Sequence, residues 1–214
     1  MFCTVALATT LASLAGCREE SASREGSGVA KTESRALSAF ADVELRGFAS
    51  VSFETAPAPS LTLTADDNLL SLVTTRVVGT KLVIQTPENA RPKTRIEVRV
   101  AGPAVRSISV EGGGHVRAQE LHHEQLSVQI SGAGLVDLAG QVERLDLRVT
   151  GSAAVAAAGL NASDVTVTLL GTGRADVAAS STLSVDLDGI GTVRYRGSPR
   201  VMKHISGLGR VEPM

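Results

Sequence analysis

Aromatic side chains are nearly absent from this chain: 214 residues include no tryptophan, one tyrosine and four phenylalanines. A core built around large rings is excluded. Val, Leu, Ala, Gly, Ser and Thr dominate instead, a composition suited to thin stacked sheets. Excess charge of either sign is missing too, since 21 Lys and Arg stand against 22 Asp and Glu. Without a strong net field, bulk attraction to nucleic acid or to an anionic membrane surface is disfavoured. Cysteine is limited to Cys3 and Cys17. The length suits one domain with a proper apolar core and is short for two.

One uncharged apolar run is present, TVALATTLASLAG at residues 4–16. It is too short to span a bilayer as a helix but has the length of a signal-peptide core. It ends in Leu14-Ala15-Gly16-Cys17, which resembles the lipobox of bacterial lipoproteins. That resemblance implies a lipoprotein signal peptide over 1–16 and lipidation of Cys17, with two or more acyl chains giving a stable anchor. No Lys or Arg opens the run, so a secretory signal cut elsewhere and a buried apolar strand compete with this reading. With Cys3 removed and Cys17 acylated, no thiol would remain for a disulfide, a metal or a nucleophile. Residues 18–35 are polar, charged and aperiodic, so 17–35 reads as a flexible tether and 36–214 as the folded domain. A lipid anchor places the expectation in the cell envelope. Arg18 follows Cys17 in place of an inner-membrane-retaining aspartate, which favours the outer membrane.

The rest of the chain is dominated by an internal repeat. A glycine recurs at Gly112, Gly132, Gly151, Gly171, Gly189 and Gly207, with spacings of 20, 19, 20, 18 and 18. A second glycine follows two residues later in every copy but one, where Ala153 replaces it. Two residues before the first glycine stand Val110, Ile130, Val149, Leu169, Leu187 and Ile205, and four after it stand Val116, Val136, Val155, Ala175, Val193 and Val211. The position three before it is polar in every copy. Alternation of period two on both sides of a bend describes two short strands, each with one buried face. Val43, Leu45, Gly47, Ala49, Val51 and Phe53 supply a seventh copy.

The expected fold is therefore all-β, a single-stranded parallel β-helix or β-solenoid with about 18–20 residues per coil. The six glycines are its structural corners, where a Cβ would be penalised. Its N-terminal part is expected to be irregular. Segments 61–64, 81–86 and 96–100 alternate like strands with prolines between them, and 66–78 reads as a short helix capped by Asp66 or Asp67.

These features resemble the bacterial family named putative auto-transporter adhesin, head GIN domain, over about residues 37–211. The resemblance rests on Phe40-x-x-Val43-x-Leu45-x-Gly47, on Ala65-Asp66-Asp67-Asn68-Leu69-Leu70, on the Gly-x-Gly repeats, and on Tyr195-x-Gly197-x-Pro199. It implies a right-handed, single-stranded β-helix-like fold and, by name alone, adhesion. No catalytic residues come with it. Ala153–Ala158 departs from the repeat's bulkier pattern and suggests a thin turn.

Concentrated chemistry is hard to find. Parallel β-helices include polysaccharide-degrading enzymes, whose sites need acidic groups converging on one face. Here the outward column five after the glycine reads Arg117, Asp137, Ala156, Asp176, Arg194, Glu212, which fits a solvated face with modest ladder pairing. His122-His123, with Glu120, Glu124, His115 and His204, reads as a polar turn in preference to a metal site, since neighbours on a strand point to opposite faces. Asp66-Asp67-Asn68 lacks the ligand spacing of a calcium loop. The Gly-x-Gly repeats lack the helix and lysine of a phosphate loop. The expectation is a non-enzymatic envelope lipoprotein without cofactor or metal, presenting a repetitive β surface to a protein or glycan, with no nucleic-acid partner. The alternatives are a carbohydrate-active enzyme whose site lies under residues 66–95, and a self-assembling homo-oligomer joined through the last turn, Ile205–Pro213.

Overall fold

The computed structural model describes residues 23–214, so the expected signal peptide at 1–16 and the lipidated Cys17 lie outside the described residues. The strands are β1 (Arg24–Glu25), β2 (Ala30–Arg35), β3 (Asp42–Gly47), β4 (Ser50–Thr55), β5 (Ser60–Asp66), β6 (Thr74–Val78), β7 (Lys81–Gln85), β8 (Ala90–Arg91), β9 (Glu97–Gly102), β10 (Ser107–Gly112), β11 (His115–Arg196) and β12 (Arg200–Pro213). A 3-10 turn at Leu70–Leu72 is the only helical element among the described residues. The fold is all-β.

Pairing follows the repeat. β10 lies parallel between β3 and β11, with Val110 opposite Leu45 and Ile130, and Gly112 opposite Gly47 and Gly132. β12 pairs in parallel with the end of β11, Leu187 opposite Ile205 and Gly189 opposite Gly207. β11 itself is an unbroken ribbon of 82 residues. Fully extended it would measure roughly 270 Å, so it must turn back repeatedly. The corner glycines allow this: Gly132, Gly151, Gly171 and Gly189 all have φ between +114° and +132°. A Cβ on any of them would lie 2.2–2.6 Å from the carbonyl oxygen of the corner glycine one copy earlier. Backbone angle and close stacking independently demand glycine there.

The aliphatic columns between corners form the core. Leu45, Val110, Ile130, Val149, Leu169 and Leu187 stack in one column and are essentially inaccessible. Full burial of each such side chain stabilises by about 1.5–3 kcal/mol, so the stacking of copies carries the fold. A second corner lies eight residues after the first glycine, at Gly140 and Gly197, with φ of +136° and +107°. These were not among the expected corners, because Ala179 stands at that position in one copy and Glu120, with φ +56°, in another.

The N-terminal part mixes parallel and antiparallel pairing, where a wholly parallel coil was expected. β7 and β9 lie outside β3 and β4, with Leu82 opposite Val43 and Val98 opposite Val51. The first copy in sequence is therefore second in space, and residues 60–102 fold back over it. Antiparallel strands then cover the exposed edges: β6 on β7, β5 on β9, and β2 on β5. The sheet is mixed because an open first level would leave two rows of backbone donors and acceptors unpaired.

Two further expectations are corrected. Residues 66–78 do not form a capped helix: Leu70–Leu72 is a single 3-10 turn without a side-chain cap, and Thr74–Val78 is strand β6. The β-branched run Val73-Thr74-Thr75 and Val77-Val78 suits a pleated edge better than a helix. Nor is the expected flexible tether over 17–35 flexible throughout, because Ala30–Arg35 is paired in β2. The Arg35 guanidinium fixes it by donating to the carbonyls of Val73 and Leu70, at 2.6 and 3.0 Å.

Candidate functional site

Alternation places the residues one and three after each corner glycine outward and the residue between them inward. At that middle position a Cβ on Gly114 or Gly209 would lie 2.4 Å from the side chain of Leu45 or Leu187, so only a very small residue fits. A stripe with almost no side chains results, flanked by two outward columns. It is the floor of a groove of about 1170 Å³ that follows the whole stack. Ala49, Gly114, Gly134, Ala153, Gly173 and Gly191 line the floor. One lip carries Phe48, Ala133, Thr172, Ile190 and Leu208; the other carries Ser50, His115, Leu135, Arg174 and Arg210. Seven levels at a strand spacing of about 4.8 Å give a length of roughly 29 Å.

Both lips mix polar residues with apolar ones that a solvated sheet face would not carry. Leu135, Ile190 and Leu208 are 52%, 57% and 78% exposed, on the outside of their strands. Ile190 and Leu208 are neighbours on one lip and Leu135 stands on the other, so exposed apolar groups gather in one groove, as at a contact surface. No carboxylate lines the groove, whereas Arg95, Arg174, Arg210 and His115 do.

The outward charged column beside the groove pairs along the ladder. Asp137 Oδ2 lies 2.7 Å from His115 Nε2 and 3.3 Å from Arg117. Asp176 accepts two hydrogen bonds from Arg194, at 2.7 and 2.8 Å, and one from Arg174 at 3.1 Å. The Arg194 contact, helped by Arg174, holds the Asp176 carboxyl below its ordinary range against the opposing effect of burial. Asp137 and Asp176 sit two levels apart, about 10 Å, each with its own basic partners. They do not converge as an acid–base pair.

The remaining candidates serve structure. Asp66 is fully buried and accepts the backbone amides of Gly28, Lys93 and Thr94 at 2.8, 2.9 and 3.1 Å. Burial alone would raise its pKa, but these amides outweigh that and hold it below the usual carboxylate value. Asp67 accepts from the Ser27 hydroxyl, while Asn68 accepts from the Ser27 amide and donates to the Glu25 carbonyl. The Asp66-Asp67-Asn68 motif thus staples residues 25–28 and 93–94 to the cap. His122 Nδ1 lies 3.0 Å from the Glu120 carbonyl, and His123 accepts the Val105 amide. Burial, then the neighbouring His122, pushes the His123 pKa down. His204 is exposed on β12. Among the described residues, no three His, Cys, Asp or Glu side chains lie close enough together to hold a metal ion.

Sequence reasoning found the corner glycines and missed the groove they open. Its signal was legible: apolar Leu135, Ile190 and Leu208 at positions one or three past a corner glycine, where period-two alternation calls for polar residues.

The family model described as "Putative auto-transporter adhesin, head GIN domain" matches residues 39–199. The chain belongs to this family. Within the domain, Phe40 packs edge-on to Phe53 with ring centroids 6.5 Å apart, and a Cβ on Gly102 would lie 2.9 Å from the Phe40 ring. Among solved structures, a "putative adhesin" from Bacteroides fragilis NCTC 9343 is similar at a TM-score of 0.73 and 19% identity, covering 89% of this chain and 99% of that one. A "putative adhesin" from Parabacteroides distasonis ATCC 8503 matches at 0.59 and 17% identity, over 89% and 99% of the two chains. A "putative lipid binding protein" from Parabacteroides distasonis ATCC 8503 matches at 0.52 and 20% identity, over 89% and 98%. Identities this low carry the fold and nothing more. No curated protein matches the sequence significantly.

Proposed function

We propose that this GIN-domain protein is a non-catalytic binding scaffold of the cell envelope, whose functional surface is the glycine-floored groove. The copies wind as one β-solenoid, anchored through lipidated Cys17 and the residues that follow it, on the outer membrane. The observation that carries the reading is the exposure of Leu135, Ile190 and Leu208 on the two lips of one groove whose glycine and alanine floor carries almost no side chains. A solenoid pays its core into the aliphatic columns, so exposed leucines and isoleucine outside the core serve contact, not packing. The groove suits an elongated apolar ligand. A glycan is less well served, because carbohydrate faces stack on large aromatic rings and Phe48 is the only phenylalanine, tyrosine or tryptophan among the groove's lining residues.

Titration with Nile red, a dye that brightens in apolar surroundings, tests the groove. Saturable binding is expected, and Leu135→Asp combined with Ile190→Asp removes it while leaving the circular dichroism spectrum unchanged. Undiminished dye binding in the folded double variant would sink the reading. Incorporation of labelled fatty acid, lost in Cys17→Ser, tests the anchor separately.

A further inference from the structure

We infer that the groove's ligand is a long-chain fatty acid, its acyl chain along the glycine floor and its carboxylate in a basic pocket at the capped end. This rests on the groove reading and adds a head-group site to it. The pocket, about 250 Å³, adjoins the groove and is lined by Ser50, Ser52, Arg95, Arg99, His115 and Arg117, with Glu97 at its side. Arg95, Ser50 and His115 line both spaces, so the two are continuous.

Register arranges the pocket. Ser52 stands opposite Arg99 on one neighbouring strand and opposite Arg117 on the other. A carboxylate placed over Ser52 therefore meets a hydroxyl donor between two guanidiniums, one strand spacing away on each side. Arg95 and Arg99 make no ion pair or side-chain hydrogen bond among the described residues, whereas Arg117 shares Asp137 with His115. Glu97 and Asp137 are the carboxylates facing these three arginines, which leaves one positive charge to be met. The charge balance matches a monoanion.

The rest of the groove selects the tail. An extended peptide would bring a backbone donor and acceptor at every residue; Arg95, Arg174 and Arg210 could serve some of its carbonyls, but its N–H groups would find only His115 and the scattered hydroxyls of Ser50, Ser152, Thr172 and Thr192. Unpaired, such groups oppose binding. A hydrocarbon chain has none. One leaflet of a bilayer is about 15 Å of hydrocarbon, so a single acyl chain starting at the pocket reaches past Leu135 within a groove of roughly 29 Å.

Competition with bound Nile red on the full chain tests this, using palmitate, 1-hexadecanol and acetate below their aggregation limits. Palmitate is expected to bind about tenfold tighter than hexadecanol at low salt, and acetate not to compete. Arg99→Ala with Arg117→Ala, both exposed positions that line the pocket and not the groove, brings palmitate down to the level of hexadecanol and leaves hexadecanol and dye unchanged. Equal binding of palmitate and hexadecanol to the wild type, or palmitate binding untouched by the double variant, would overturn the head-group site while dye binding left the groove standing. Tight acetate binding would point to a free-anion site and overturn the lipid. Loss of dye binding along with both lipids in the wild type would remove the groove reading as well.

Discussion

The first level of the stack lies beneath antiparallel strands β2, β5 and β6, while β12 pairs with β11 on one side and has no strand on its other edge among the described residues. Covered, the first copy buries Val43 and Leu45 to 3% and 0% exposure; uncovered, the equivalent Lys203 and Ile205 are both exposed. The contrast shows two ways of managing a sheet edge. One end is paired off and stapled by the buried Asp66. At the other, the inward column Val43, Ile108, Val128, Leu147, Val167, Val185 ends in Lys203, and the strand ends in Pro213. An inward-facing lysine and a proline discourage edge-to-edge addition. Edges, not the core, distinguish the two ends.

The contrast breaks most sharply at the corners. Gly151→Val, at φ +114° and 2.6 Å from the Gly132 carbonyl, forces both strain and a clash in the middle of the stack. We expect a loss of more than about 3 kcal/mol in urea unfolding. Gly207→Val meets a similar clash at the terminal level, where releasing β12 relieves it, and should lose much less. Truncation of the core comes next. Ile130→Ala, fully buried, should destabilise by about 2–5 kcal/mol, whereas Ile205→Ala at the open end should fall below about 1 kcal/mol in the same measurement.

Acid tests the stapled end. The folded pKa of Asp66 lies below its unfolded value, so its stabilisation is fully present above the ordinary carboxylate range and is lost as pH falls through the folded value. Hydrogen exchange should show residues 24–35 losing protection below about pH 4 before the aliphatic columns do. Asp66→Asn should show that loss at neutral pH; equal protection in both proteins would remove Asp66 from its place in the cap. The smallest effect is at the open end. Lys203→Val completes the aliphatic column and should raise the apparent mass in light scattering at high concentration, with little change in stability. A variant that stays at the wild-type mass would deny Lys203 its blocking role.

Much of this fold could be read in advance because stacking repeats one chemical decision at each level. Val110, Ile130, Val149 and their equivalents announce the core, and Gly112 through Gly207 announce the corner, since a Cβ there meets the backbone of the previous copy. The cap was not legible. Nothing local says that Leu82 pairs with Val43, with three strands between them in sequence, or that Ala30–Arg35, polar and charged, finds a partner in Leu61–Asp66. Long-range pairing chose strand over the tether and over the helix that Asp66 and Asp67 suggested. The groove stayed hidden for a different reason: its floor is an absence of side chains, and its lips are single apolar residues that look unremarkable one copy at a time.

Mapping amide shifts in the nuclear magnetic resonance spectrum of the isotope-labelled chain as Nile red is added tests the central claim most directly. The account predicts shifts clustered one to three residues past the corner glycines, at Ala133–Leu135, Thr172–Arg174 and Ile190–Thr192. Shifts centred instead on the charged column at Asp137, Asp176 and Arg194, or on the cap at residues 66–95, would contradict it.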